Sequence, residues 1–231
     1  MKINRAKMLR VLNLAKSVKS NEAIIKGEKI LATSETGSIN LCATAPTLES
    51  PLGVIDISLL HSMFGKCHAD DVNCKMNQRL LKILDGDMEF GYKTADLDII
   101  EVPAESTFKE LDAMLDFTIT VKIEMLMRIS DLVKTVTASE VTFKEREGEL
   151  NVIVGREAMF YGKVVWREVK EELKGMNLKF LSSELIPILD VLDSDSVALG
   201  FSCGTNGEKR FLKISQDDSM WYIGVLSGGD R

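Results

Sequence analysis

The chain repeats itself. Met8–Lys26 reads MLRVLNLAKSVKSNEAIIK, and Leu126–Lys144 reads LMRISDLVKTVTASEVTFK. The two stretches align without a gap, about 118 positions apart, which is the mark of a chain built twice from one unit. Arg10 falls on Arg128, Leu14 on Leu132, Lys16 on Lys134, Val18 on Val136, Glu22 on Glu140 and Lys26 on Lys144. Other pairs exchange like for like: Val11 with Ile129, Asn13 with Asp131, Ser17 with Thr135. A duplicated core follows from any duplicated domain. A duplicated pair of cations on a helix points further, to duplicated use.

The repeat continues. Ile55–Val72 resembles Phe180–Val197 at an offset near 125, and Leu81-Lys82-Ile83 with Phe90-Gly91-Tyr92 resembles Leu212-Lys213-Ile214 with Trp221-Tyr222-Ile223 near 131. Small loop insertions in the second copy would produce such a rise. The chain therefore divides into domains at residues 1–103 and 117–231, joined by a connector at 104–116. The linking stretch, EVPAESTFKELDAMLD, holds Pro103 and mixes acidic with apolar residues, as a connector does.

Two domains fit comfortably in 231 residues. The net charge of −6 argues against indiscriminate adhesion to DNA or membranes, yet leaves room for a local basic surface. There is no apolar run near the length of a membrane helix. The opening MKINRAKMLR lacks the apolar stretch of a signal peptide, and the four cysteines lack disulfide-framework spacing. Both lead to the expectation of a reducing cytoplasm.

Hydrophobic period places an amphipathic helix over about Arg5–Lys19. Met8, Val11, Leu12, Ala15 and Val18 lie on one side, Arg10, Asn13 and Ser17 on the other, with Lys16 at the border. Strands follow at Glu22–Lys26, Lys29–Thr33 and Ser38–Ala43, with a turn at Gly27 between the first two. A second short helix covers Asp56–Lys66, capped by Asp56 or Ser58. Strands Asp71–Met76, Arg79–Leu84, Met88–Tyr92 and Leu97–Val102 come next, with a tight turn at Asp85-Gly86-Asp87. The second half reads alike: helices Ile123–Thr135 and Ser183–Leu192, strands between Glu140 and Trp166 and between Val197 and Val225. The fold class is α+β: helix then meander, twice per domain.

That order, doubled across a connector, resembles the DNA sliding clamps. The match is closer to the trimeric branch, proliferating cell nuclear antigen and the clamps of T-even-like bacteriophages. It covers essentially the whole chain, including the closing aromatic strand Met220–Val225. The resemblance implies two pseudo-repeated domains, each with antiparallel sheets and two short inner helices. Three copies would close a ring around duplex DNA as a homotrimer, tethering the DNA polymerase in replication. It implies an ATP-dependent clamp loader as a partner, no catalysis, no cofactor, and a place in the host cytoplasm if the source is viral.

On the inner helices, Arg10 and Lys16 match basic clamp positions, and Arg128 and Lys134 are their repeat equivalents. Lys66 ends the second helix and Lys122 begins the third. Lysine and arginine hold a duplex through phosphate without reading sequence, which a mobile clamp needs. The fourth helix departs from the pattern: Glu184, Asp190 and Asp193 stand there with no cation, and Pro187 shortens or kinks it. The resemblance places a partner-peptide pocket at Leu41, Phe108, Leu111, Leu115, Tyr222 and Gly224; the same residues would equally serve to glue connector to core. It places the subunit interface at the edge segments Asp96–Val102 and Glu157–Val165, with Leu97, Ile99, Phe160, Tyr161 and Val164 in contact.

Two other readings compete. One is a monomeric clamp-like factor that grips DNA on a single basic face. The other is a metal-dependent enzyme using His61, Cys67, His68 and Cys74, whose spacing matches no usual zinc pattern. No phosphate-binding glycine loop and no nucleophile elbow occurs, so no nucleotide or hydrolase chemistry is written in the chain.

Overall fold

In the computed structural model the duplication is visible strand by strand. The residues described are 1–77, 79–156, 160–166, 175–204 and 209–226, with backbone alone at Arg156, Phe160 and Trp166. The chain forms two compact units, Met1–Glu105 and Ser106–Arg231. The first unit runs β1 (Lys2–Asn4), α1 (Arg5–Ser17), β2 (Ala23–Lys26), β3 (Lys29–Thr33), β4 (Ile39–Thr44), β5 (Leu52–Val54), α2 (Ile57–Lys66), β6 (Asp71–Asn77), β7 (Leu80–Asp85) and β8 (Met88–Lys93). The connecting helix α3 (Glu105–Ala113) follows. The second unit then runs β9 (Phe117–Lys122), α4 (Ile123–Val136), β10 (Glu140–Arg146), β11 (Glu149–Arg156), β12 (Phe160–Trp166), β13 (Asn177–Leu181), α5 (Ser182–Leu189), β14 (Ser196–Ser202), β15 (Phe211–Gln216) and β16 (Ser219–Gly224).

Strand order repeats with element order. The first unit holds the runs β1-β6-β7-β8 and β5-β2-β3-β4; the second holds β9-β14-β15-β16 and β13-β10-β11-β12. Register repeats as well. Ile3 pairs with Val72 and Val121 with Val197; Asn73 pairs with Leu84 and Ala198 with Ser215; Leu81 pairs with Tyr92 and Leu212 with Ile223. The rising offset has several sources. The β2–β3 hairpin closes at Lys26 and Lys29, whereas β10–β11 adds two cross-strand pairs, Glu145 with Leu150 and Arg146 with Glu149. That part of the increment is an extended hairpin; the rest arises between β11 and β13, as Ile25 paired with Leu52 against Phe143 paired with Leu178 shows. The later increment is a loop insertion: Asn77 pairs with Leu80 across a tight turn, while Ser202 pairs with Phe211 across a longer connection.

Each helix follows from its sequence. Asn4 accepts the Lys7 N–H at 3.0 Å to cap α1, and Asp56 accepts the Leu59 N–H at 2.7 Å to cap α2. Met8, Val11 and Leu12 of α1 and Leu60 and Phe64 of α2 are buried, as are Leu126 and Ile129 of α4 and Leu185 and Ile188 of α5. Each such side chain stabilises the fold by roughly 1.5–3 kcal/mol. Arg5 donates to the carbonyls of Phe64 (3.0 Å) and Gly65 (3.3 Å), satisfying the open end of α2. In the second unit Phe143 packs edge-on to Phe180, with ring centroids 5.8 Å apart, and lies 5.7 Å from Phe201.

One repeated device is invisible as identity. Asp85 ends β7 and accepts the N–H groups of His68 and Ala69, just beyond α2. Gln216 ends β15 and accepts those of Asp193 and Ser194, just beyond α5. All three positions correspond in the two copies. A side-chain carbonyl oxygen is what the backbone needs there, and aspartate and glutamine both supply one.

Several sequence expectations are corrected. Leu97–Val102 is not a strand; Leu97–Ile99 forms a single 3-10 turn, and just before it Ala95 bridges to Gly53 of β5. Ser17 is not on the polar face: it is buried and its hydroxyl donates to the Leu14 carbonyl at 2.6 Å. The connector contains a helix, α3. Helix α5 ends at Leu189, short of Leu192, with Pro187 inside it. Among the described residues no helix is long and apolar enough to cross a membrane.

Candidate nucleic-acid interface

The helices of the first unit present cations without acids. Helices α1 (RAKMLRVLNLAKS) and α2 (ISLLHSMFGK) carry Arg5, Lys7, Arg10, Lys16 and Lys66 and no carboxylate. Arg10 and Lys66 are exposed and Lys16 is half-buried. Lys16 lies close enough to His61 to push its pKa down, after burial, which is the larger cause. Such a face attracts phosphate without reading base sequence.

The second unit repeats the geometry with a different charge balance. Arg128 and Lys134 are exposed on α4, on the helical positions of Arg10 and Lys16. They share that helix with Glu124 and Asp131, and α5 carries Glu184. Lys134 Nζ sits 3.1 Å from Asp190 Oδ1. Lys122 is exposed at the N-cap of α4 and makes no side-chain cap bond, unlike its equivalent Asn4. The expected cations are thus carried by α1 (Arg10, Lys16) and α2 (Lys66) in the first unit, and by α4 and its N-cap (Lys122, Arg128, Lys134) in the second. Asp190, seen in the sequence only as an acid on the fourth helix, turns out to be the partner of Lys134.

Of the residues proposed as a peptide pocket, all but Leu41 lie in the second unit. Phe108 and Tyr222 are buried with ring centroids 5.4 Å apart. Leu111 is buried beside them in sequence on α3. Leu115 covers Gly200, where an added Cβ would meet its Cδ1 at 3.0 Å. Tyr222 donates its hydroxyl to Asp112 Oδ1 at 2.9 Å, and Lys213 Nζ reaches the same oxygen at 2.5 Å while lying 5.4 Å from the Tyr222 ring centroid. Gly224 pairs with Phe211 at the end of β16. Leu41 is buried on β4 of the first unit. In this arrangement the connector helix is latched to the last sheet. Tyr222→Ala is therefore expected to cost about 3–5 kcal/mol of stability, as truncating a buried aromatic does. Tyr222→Phe loses only the hydroxyl bond and is expected to cost about 1 kcal/mol; urea unfolding midpoints measure both.

Of the expected interface residues, Tyr161 is 54% exposed on β12 and Val164 nearly buried. Phe160 begins that strand, and its side chain lies outside the described residues, as do Glu157–Met159. Leu97 is half-buried and Ile99 is 67% exposed, but both stand in the 3-10 turn and on no strand edge. The outermost strand of that sheet is β8.

His61, Cys67, His68 and Cys74 do not form a metal site: among the described residues no three side chains of ligand type gather. Cys67 and Cys74 are buried, and burial pushes the Cys74 thiol up to about 11, far from a reactive thiolate.

No family model matches the chain, and no curated protein matches its sequence. Solved structures match it along its length. A DNA polymerase sliding clamp from Bacillus subtilis superposes with a TM-score of 0.73 at 14% identity, covering 100% of this chain and 65% of that one. The clamp from Caulobacter crescentus gives 0.76 at 11%, covering 99% and 65%. A chain of the PCNA2–PCNA3 complex from Sulfolobus tokodaii gives 0.70 at 14%, covering 99% of this chain and 100% of that one. The fold is the sliding-clamp fold, with its repeated units. The chain spans about two thirds of the bacterial clamps it matches and the whole of the archaeal one.

Proposed function

We propose that this protein is a DNA polymerase processivity clamp: a non-catalytic ring that encircles duplex DNA and tethers a polymerase. The observation that carries the reading is the sliding-clamp fold with an acid-free, cationic helix pair in one repeat and matching cations, Arg128 and Lys134, in the other. The reading follows the sequence resemblance to the trimeric branch, with clamp domains at 1–103 and 117–231 and a connector at 104–116.

Three copies join head to tail through sheet edges. The correction to Asp96–Val102 moves the first-unit edge to β8, which would pair with β12 of the next copy around Tyr161. A closed ring needs an ATP-dependent loader, since the chain has no nucleotide-binding motif. Partner peptides dock where α3 meets β15 and β16, displacing or extending the Phe108–Tyr222 contact. The sequence resemblance extends the reading to a phage replisome in the host cytoplasm, a reducing setting that suits the free thiols of Cys42, Cys67, Cys74 and Cys203.

Encirclement is tested without a loader. The protein is allowed to thread onto a long linear duplex, and both ends are then blocked with biotin and streptavidin. A ring survives a high-salt wash on blocked DNA and is lost from open-ended DNA. Equal loss from both overturns encirclement and leaves a one-sided grip.

A further inference from the structure

The second repeat carries a carboxylate that the first lacks. Asp190 caps the end of α5, and its Oδ1 accepts the Ser130 hydroxyl of α4 at 2.7 Å. Lys134 Nζ, also on α4, lies 3.1 Å from Oδ1 and 3.2 Å from Oδ2. By the repeat, Ser130 corresponds to Leu12 and Asp190 to Gly65. Leu12 is fully buried and Gly65 has no side chain, so the first unit has neither the hydroxyl that orients the acid nor the acid. The group that senses Lys16 there is the His61 imidazole, whose pKa is lowered by burial and then by the Lys16 charge. The two repeats keep the same cation and differ in what faces it.

We propose that Asp190 is a built-in counter-ion that occupies Lys134 in place of a DNA phosphate and keeps the second unit's hold on the duplex loose. The inference rests on the clamp reading above. Lys134 and Asp190 are both substantially exposed, with side-chain accessibilities of 58% and 41%. An ion pair so open to water is weak, so phosphate can compete for the ammonium. To do so it must displace a carboxylate that Ser130 holds in place and that itself repels phosphate. Contact is then made and broken readily, which suits a protein that moves along the backbone. The first unit, with Arg10, Lys16 and Lys66 on acid-free helices, supplies the steadier attraction.

Asp190→Asn tests this, because the carboxamide keeps an oxygen for Ser130 and removes only the charge. Binding to a duplex of about 30 base pairs is followed by fluorescence anisotropy from about 50 to 200 mM salt. The variant is expected to bind more tightly, with a salt slope steeper by about 0.9 per engaged copy, so that its advantage is about 3.5-fold larger at the low end than at the high end. Lys134→Ala alone is expected to weaken binding modestly, because it leaves the Asp190 carboxylate uncompensated beside the phosphates, and in the Asp190→Asn background it removes the gain. Glu147→Gln, the same charge change at the exposed β10–β11 turn, is expected to change nothing. An unchanged slope in Asp190→Asn, or a gain that survives Lys134→Ala, overturns the proposal. Arg10→Ala with Lys16→Ala in the same assay separates the two readings. If that pair weakens binding while Asp190→Asn does nothing, the counter-ion falls alone. If neither matters, the DNA-facing assignment of the helices falls with it.

Discussion

Alanine at Arg10, Lys16, Lys66 and Arg128 together is expected to remove most of the protein's affinity for duplex DNA and to flatten its salt dependence. Each lost phosphate contact lowers the slope of log affinity against log salt by about 0.9, so four lower it by about 3.6 for each copy in contact. Preference among sequences should not change, since phosphate contacts carry none directly. Folding should hardly respond. Three of the four side chains are exposed and Lys16 is half-buried, and substitutions at such positions usually matter by less than about 0.5 kcal/mol each. Anisotropy across a salt series measures the slope, and thermal melting checks the fold. The charge distribution predicts an unequal division between the repeats: removing Arg10 with Lys16 should cost more affinity than removing their equivalents Arg128 with Lys134, because Lys134 already holds Asp190. Lys26→Ala with Lys144→Ala is the control. These lysines are repeated too, but they stand on β2 and β10 beyond the helices, so they separate duplication from DNA contact. A folded quadruple variant with the wild-type slope would reduce the helix cations to a solvated face.

The sequence carried the architecture because duplication writes the same hydrophobic pattern twice. Arg10 over Arg128 and Leu81 over Leu212 were legible as letters, and the strand registers repeat at the same offsets. What was not legible was held by long-range pairing. Strands β1 and β5 are three residues each and exist because β6 and β2 receive them. Helix α3 was readable in principle, since Phe108, Leu111 and Leu115 stand at helical spacing, but Pro103 and the mixed composition suggested a plain linker. The strand expected over Leu97–Val102 failed because the chain turns into a 3-10 helix at Leu97–Ile99, leaving β8 as the open edge of the sheet. At the candidate site the cation positions came from the repeat. The acid that answers Lys134 did not, because its equivalent is Gly65, and a repeat reveals only what both copies share.

Tyr161→Asp is expected to convert a trimer of about 77 kDa into the 25.7 kDa monomer at micromolar concentration, as measured by light scattering. Strand β8 ends the run β1-β6-β7-β8 and strand β12 ends the run β12-β11-β10-β13, so each carries a row of backbone groups on its outer side that calls for a partner. The two edges are unlike and lie in different units, so joining them is head-to-tail; such contacts close a ring when the rotation permits and otherwise propagate. Tyr161 on β12 is 54% open within a single chain, a degree of exposure that a buried subunit contact would explain. A carboxylate at that position must be desolvated without a partner when the edges meet, a cost large enough to outweigh a contact of this kind. Because the side chain is exposed in the isolated chain, the monomer should keep its melting behaviour apart from the loss of association. Tyr161→Phe keeps the ring and should keep the trimer. The monomeric variant should still bind short duplexes through the helix cations in low salt, but should wash equally from blocked and open-ended DNA. Encirclement needs the closed ring, whereas phosphate contact needs only the helix face. A wild-type protein that is monomeric across the micromolar range, or a Tyr161→Asp variant that stays trimeric, would place the joint elsewhere.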